Sequence, residues 1–119
     1  MTRRSYRAPA IQPLVEDDIV IGKLRIIPAA RSAFLAELPI VLTPVEYDLL
    51  LCLAKATGRV KTRDQLLEEI RERNYEVFDR SIDVHISALR KKLGDDAKNP
   101  RFIRTCRSAG YMLIHPESP

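Results

Sequence analysis

At 119 residues the chain is one domain long, and its 45% hydrophobic and 30% charged content is that of an ordinary globular protein with a modest core. Its longest unbroken apolar run, residues 49–54, is far short of the roughly twenty residues that a membrane-spanning helix needs. The net charge of +4 is unevenly placed: residues 8–76 hold nine Lys/Arg against eleven Asp/Glu, whereas residues 90–107 hold seven Lys/Arg against Asp95 and Asp96. A basic C-terminal third on a near-neutral body is the footprint of a phosphate-binding surface, although charge alone fits a solvated face equally well.

Along the chain, residues 1–15 carry Arg3, Arg4, Arg7, Pro9 and Pro13 without periodicity and read as a linker or tail, with no apolar stretch of the kind a secretory signal has. The folded domain is expected over 16–115, with 116–119 as a tail. Short apolar runs at 19–21, 24–27, 33–35 and 40–42, broken by Gly22, Pro28 and Pro39, predict a four-stranded antiparallel meander.

At Thr43 the period changes. Thr43-Pro44-Val45-Glu46 combines a capping threonine, a proline at the first helical position and a glutamate able to reach back to the cap. Val45, Leu49, Cys52, Leu53 and Ala56 then recur at helical spacing until Gly58. Thr62-Arg63-Asp64-Gln65 repeats the capping pattern before Leu66, Leu67 and Ile70, and two helices so closely joined suggest a helix–turn–helix. Residues 71–78 read as a loop. A third helix is expected from Asp79 or Arg80 to Leu93, stopped by Gly94, and a β-hairpin from 102–106 and 111–114 closes the chain.

The third helix is informative by its faces. Ile82, Ile86, Leu89 and Leu93 form one stripe that must be buried. Opposite lie Arg80, Val84, Ser87, Ala88 and Lys91, with His85, Arg90 and Lys92 on the shoulders. A slim centre between cationic flanks suits a helix lying in a major groove between two phosphate ridges, and Val84 there could touch a thymine methyl. The alternative is a surface helix whose C-terminal cations complement its dipole. The hairpin shifts the balance, because Arg104 and Arg107 sit on a two-stranded ribbon whose turn, Ser108-Ala109-Gly110, is slim enough for a minor groove. Three helices followed by a basic hairpin give an α+β winged helix-turn-helix.

These residues also resemble a known family. Leu42-Thr43-Pro44-Val45-Glu46-Tyr47-Asp48-Leu49-Leu50, Gly58-Arg59-Val60 with Thr62-Arg63-Asp64-Gln65-Leu66, the run Arg80 through Leu93, and Ile103-Arg104-Thr105-Cys106-Arg107-Ser108-Ala109-Gly110-Tyr111 look like the successive motifs of the OmpR/PhoB-type response-regulator effector domain. The resemblance spans 18–114 in order, and residues 78–80 with 85–87 most resemble the CpxR-type subgroup. It implies an N-terminal four-stranded antiparallel sheet, three helices and a C-terminal wing that pairs with a short central strand. It further implies a two-component transcriptional regulator in the cytoplasm. Its receiver domain, phosphorylated by a sensor histidine kinase and absent from this sequence, promotes dimerisation, and two effector domains occupy tandem direct-repeat half-sites on double-stranded DNA and touch RNA polymerase.

By the resemblance, Arg80, His85, Arg90, Thr105 and Tyr111 hold phosphates, Arg107 enters the minor groove, and Arg71, Glu72, Arg73, Asn74, Tyr75, Glu76 and Val77 form the loop offered to polymerase. The helix faces and basic hairpin add Lys92 and Arg104 as phosphate contacts and Val84, Ser87, Ala88 and Lys91 as the base-facing set. Two departures stand out. Many members carry arginine or asparagine at the position of Ala88, a main base-reading position, and the wing's usual first glycine is Ser108. With no long apolar stripe left over, the isolated domain is expected to be a monomer that pairs only on DNA.

Other readings are poorer in motifs. An enzyme would have to use Cys52 or Cys106 with His85 or His115, and no motif links them. Cys52 and Cys106 lack metal-ligand spacing and suit a reducing compartment, so neither metal nor cofactor is expected. A winged helix that meets only protein should show acidic residues on the groove face. Membrane-anchored regulators of this type continue into a hydrophobic span after the wing, where this sequence ends His115-Pro116-Glu117-Ser118-Pro119.

Overall fold

The computed structural model describes residues 17–71 and 79–115, with side chains from Ile82 onward in the second stretch. The stretches 1–15 and 116–119, expected to be linker and tail, lie outside the described residues.

The element order begins with four strands, β1 (Ile19–Ile21), β2 (Leu24–Ile27), β3 (Ser32–Leu35) and β4 (Leu38–Ile40), paired antiparallel in sequence order. Each hairpin has its own means of turning. Gly22 supplies a left-handed φ of 60° between β1 and β2, while Ala36 and Glu37 both take left-handed values, 52° and 68°, between β3 and β4. Two consecutive positive φ values match the twist of a two-residue hairpin, and this tight turn starts the fourth strand two residues earlier than expected from the apolar run 40–42. Pro39 therefore lies inside β4 and not in a break. It is tolerated because β4 is an edge strand, where the missing N–H deprives no further neighbour. A turn of 3-10 helix, Pro28–Ala30, links β2 to β3.

Ile21, Leu24, Ile26 and Ala33 of the sheet join a single core cluster with the three helices and the hairpin. Helix α1 (Pro44–Lys55) opens on the expected capping box: Thr43 Oγ1 accepts from the Glu46 N–H, and Glu46 Oε1 accepts from the Thr43 N–H at 3.0 Å. Helix α2 (Arg63–Ile70) opens the same way, with Thr62 and Gln65 exchanging bonds of 2.9 and 3.0 Å. Two orphan donors satisfied at each start fix both helix entries.

Helix α3 (Asp79–Leu93) buries Ile82, Ile86, Leu89 and Leu93 against α1 and α2, as its period requires. It ends in a Schellman arrangement: Gly94, φ 66°, donates to the Lys91 carbonyl and Asp95 donates to the Arg90 carbonyl at 2.8 Å.

The Asp95 carboxylate then accepts the backbone N–H groups of Arg101, Phe102 and Ile103 at 2.6, 3.2 and 2.8 Å. One side chain thus ties the end of α3 to the start of the hairpin β5 (Ile103–Cys106) and β6 (Gly110–Leu113). The hairpin docks on the segment between α1 and α2. Lys61 and Tyr111 exchange backbone bonds of 2.8 and 2.9 Å, and the Gly58 N–H donates to Leu113. The expected short central strand is thus a single bridge, since Thr62 next to it is already the cap of α2. No helix among the described residues is long and apolar enough to cross a membrane.

Candidate nucleic-acid interface

With Ile82, Ile86 and Leu89 fully buried, helical geometry turns Val84, Ser87 and Lys91 outward. Val84, an apolar side chain in the middle of this face, is 67% exposed. Ser87 and Lys91 are also exposed, while Ala88, on the edge of this face, is half-buried. His85 is half-buried, on the flank of α3 that also carries Lys92. Arg80 belongs to the first turn of α3, but its side chain lies outside the described residues, as do Glu72 through Val77 of the expected polymerase loop; Arg71, which is described, is exposed at the end of α2.

The two flanks of α3 are held by different parts of the fold. On one, the Lys92 ammonium donates to Glu46 Oε1 at 2.6 Å, the same oxygen that accepts the Thr43 N–H. Burial raises the Glu46 carboxyl, but the Lys92 bond, the Thr43 N–H and the Lys92 charge together outweigh it and leave the carboxyl below its usual range. A carboxylate lowered in the folded state binds fewer protons there than when unfolded. Its stabilisation is present above the unfolded value of 4.5 and fades as pH falls through the lower folded value. Urea unfolding compared at neutral pH and about pH 3.5 should therefore show a loss of stability that Glu46→Gln makes smaller. An unchanged loss in the variant would remove Glu46 from the account.

On the other flank stands the wing. The Arg90 guanidinium donates to the Ile103 carbonyl from Nη2 at 2.9 Å and from Nε at 3.3 Å, and Nη2 also reaches Thr105 Oγ1 at 2.7 Å. About two turns toward the start of α3, Asp83 Oδ1 accepts from the Tyr111 hydroxyl and from Arg63 Nε of α2, the latter at 2.8 Å. Burial raises the Asp83 carboxyl, but the Tyr111 hydroxyl and Arg63 outweigh that and hold it below its usual range. Burial first and the Asp83 carboxylate second raise the Tyr111 phenol, so it remains a neutral donor. Arg63 and Arg90 also approach the Tyr111 ring, at 5.2 and 5.7 Å from its centre.

Among the expected phosphate residues, then, Arg104 and Thr105 lie exposed on β5, with Arg107 exposed at the tip. Thr105 accepts from Arg90, which leaves its own hydroxyl proton to donate elsewhere. Tyr111 is 96% buried, being 4% exposed, and its hydroxyl proton is given to Asp83. Ser108 takes a left-handed φ of 63°, the value the glycine it replaces would adopt without strain.

Four functional contributors escape a reading by charge: Arg63, Asp83, Asp95 and Glu46. Three are acids in or beside a basic surface, so a charge count treats them as dilution. Asp83, one position before Val84 and on the Arg90 flank, carried the available signal: an acid on a cationic helix has to be paired.

Cys52 is half-buried between α1 and α2, and burial together with the Glu69 carboxylate pushes its thiol up to about 12. That is the chemistry of a packing residue and not of a nucleophile.

Comparison with known proteins agrees with this geometry. Residues 37–113 match the family described as "Transcriptional regulatory protein, C terminal". The chain is 43% identical over 103 residues to the alkaline phosphatase synthesis transcriptional regulatory protein PhoP of Bacillus subtilis, a match that covers 87% of this chain and 43% of that protein. The chain therefore spans less than half of that curated relative. Among solved structures, the RstA DNA-binding domain of Klebsiella pneumoniae in complex with the RstA box is similar at a TM-score of 0.75 and 39% identity, covering 83% of this chain and 98% of that one. The DNA-binding domain of CpxR from E. coli follows at 0.72 and 30%, covering 86% and 100%. CpxR is thus among the structural relatives, with RstA at higher identity. Capped helices, a recognition-type helix with a slim exposed face and a basic wing braced to it meet here in one matched stretch, and the chain belongs to the C-terminal domains of transcriptional regulatory proteins, the winged-helix effector domains of OmpR/PhoB-type response regulators and not a family of enzymes.

Proposed function

We propose that this domain binds double-stranded DNA in a sequence-dependent manner, with α3 in the major groove and the β5–β6 wing in the adjacent minor groove. The observation that carries the proposal is the outward face of α3, where 67%-exposed Val84 stands beside Ser87 and Lys91 with the basic wing secured to the neighbouring flank. Val84, Ser87, Ala88 and Lys91 face the bases. Arg80, His85, Arg90, Arg104 and Thr105 grip phosphates, and Arg107 reads the width of the minor groove. Lys92 and Tyr111 would first have to release Glu46 and Asp83, so their part is to hold the helix and wing in place.

The wider setting we propose is a cytoplasmic two-component regulator in which a receiver domain, answering a sensor histidine kinase, brings two effector domains onto tandem direct repeats. The segment from Arg71 to Val77 (Glu72, Arg73, Asn74, Tyr75, Glu76) is the part we propose is offered to RNA polymerase. The domain is a monomer alone and a dimer on DNA: Val20, Val60 and Val84 are exposed apart from one another, and Leu38 and Val41, which lie together around β4, form no long apolar stripe. Selection of bound duplexes from a random pool should return two direct repeats about 10–11 base pairs apart, centre to centre. Selected sequences with no shared motif would overturn sequence-dependent binding, and inverted repeats would overturn the head-to-tail arrangement.

A further inference from the structure

We infer that Arg90 is a positioning residue that sets where the wing enters the minor groove relative to the bases read by α3, a role resting on the DNA-binding reading above. Its guanidinium is spent largely inside the protein. Nε and Nη2 converge on the Ile103 carbonyl and Thr105 Oγ1, which sit on β5, four and two positions before the tip residue Arg107. A carbonyl in a strand and a hydroxyl two residues further on fix both the distance and the direction of β5 from α3. The planar fork makes this geometry specific, and a lysine ammonium could satisfy only part of it.

The brace is not redundant with the rest of the docking. Asp95 holds the residues that enter β5, and the Lys61–Tyr111 bridge holds β6 near Gly110. Between them, Ile103–Cys106 is tied to the recognition helix itself through Arg90, and Asp83 ties the facing Tyr111 to the same helix about two turns away. The two ties come from the same flank of α3, so the helix and hairpin move as one body. Minor-groove width varies along DNA, and Arg107 samples it at a fixed offset from the α3 bases only while this body is rigid.

The experiment compares the wild-type chain with Arg90→Lys, Thr105→Val and Arg107→Ala on duplexes selected by the wild type, with A·T pairs next to the half-site either kept or replaced by G·C. Wild-type binding should weaken about fivefold on the G·C flank and Arg107→Ala should be indifferent. Arg90→Lys keeps the charge and so keeps the salt dependence to within about half a unit of slope, yet its flank discrimination should fall to that of Arg107→Ala. Thr105→Val, which removes one of the two acceptors on β5, should lose part of it. A residue acting only as a phosphate grip or only in stability would leave the flank ratio untouched once the folded fraction is accounted for, and an undiminished fivefold ratio in Arg90→Lys overturns the inference. Should the wild type itself ignore the flank, the minor-groove reading is what fails. The brace is then decided without DNA, by residual dipolar couplings that report the direction of β5–β6 against α3. An unchanged direction in both Arg90→Lys and Thr105→Val overturns it, and a changed one upholds it.

Discussion

Replacing Gly110 by alanine should cost at least ~3 kcal/mol of stability and release the wing from the body of the domain. Gly110 has a φ of 150°, and a Cβ built there would stand 2.1 Å from the Lys61 carbonyl oxygen and 2.8 Å from the Thr62 Cα. Both are backbone atoms, and neither can swing aside as a side chain would. Lys61 is fixed by its pair of backbone bonds to Tyr111, and Thr62 is the cap on which α2 begins. Relief requires the hairpin to withdraw by more than an ångström, which breaks the Lys61–Tyr111 bridge and exposes the packing of Tyr111, Ile103 and Leu113. Thermal unfolding should shift by more than about 10 °C, and DNA binding should fall in step with the misplaced wing. Ser108→Ala, two residues away at the exposed tip, is the control and should stay within about 0.5 kcal/mol of wild type. A Gly110→Ala variant within about 1 kcal/mol of wild type would show that the close approach to Lys61 is not needed.

Affinity for duplex DNA should fall roughly 500-fold between 50 and 200 mM salt for a single domain. The estimate follows from about five phosphate-neutralising cations, each releasing a condensed counterion, which gives a log–log slope near −4.5. Arg80, Arg90, Lys91, Arg104 and Arg107 are the cations concerned. Lys92 is left out because its ammonium already neutralises Glu46 inside the fold. Lys92→Ala should consequently leave the slope unchanged while lowering stability, since it strands a carboxylate that is only 6% exposed. Lys91→Ala should flatten the slope by about one unit. A wild-type slope flatter than about −2 would end the account of a phosphate-gripping surface, and a Lys92→Ala slope reduced by a full unit would return that lysine to the DNA.

Which residues a sequence can place, and which it cannot, divides along the range of the interactions. The stripe Ile82, Ile86, Leu89 and Leu93 is legible because a helix of 3.6 residues per turn leaves one way to bury it, and the outward face follows from the same geometry. The caps at Thr43 and Thr62 are legible because each is satisfied within three residues, and Gly94 marks a helix end by a left-handed turn that favours glycine. The fourth strand was misplaced by two residues because its position depends on a turn built from Ala36 and Glu37, residues with no strong turn preference of their own.

Charge is where local reading ends. Lys92 and Tyr111 look like two more contacts for DNA, and only the tertiary structure decides that Lys92 meets a glutamate 46 positions earlier, that Tyr111 donates to an aspartate 28 positions before it, and that Arg90 also reaches β5. Such partners are set by how α1, α3 and the hairpin pack, and a cation carries no mark of which anion lies across the core from it. Sequence by itself determined the helices, the hairpin and the buried faces, and with them the outward face of α3 proposed to meet DNA, because hydrophobic period and capping act over a few residues. The brace between α3 and the wing came from packing, which brings distant polar groups within hydrogen-bond reach.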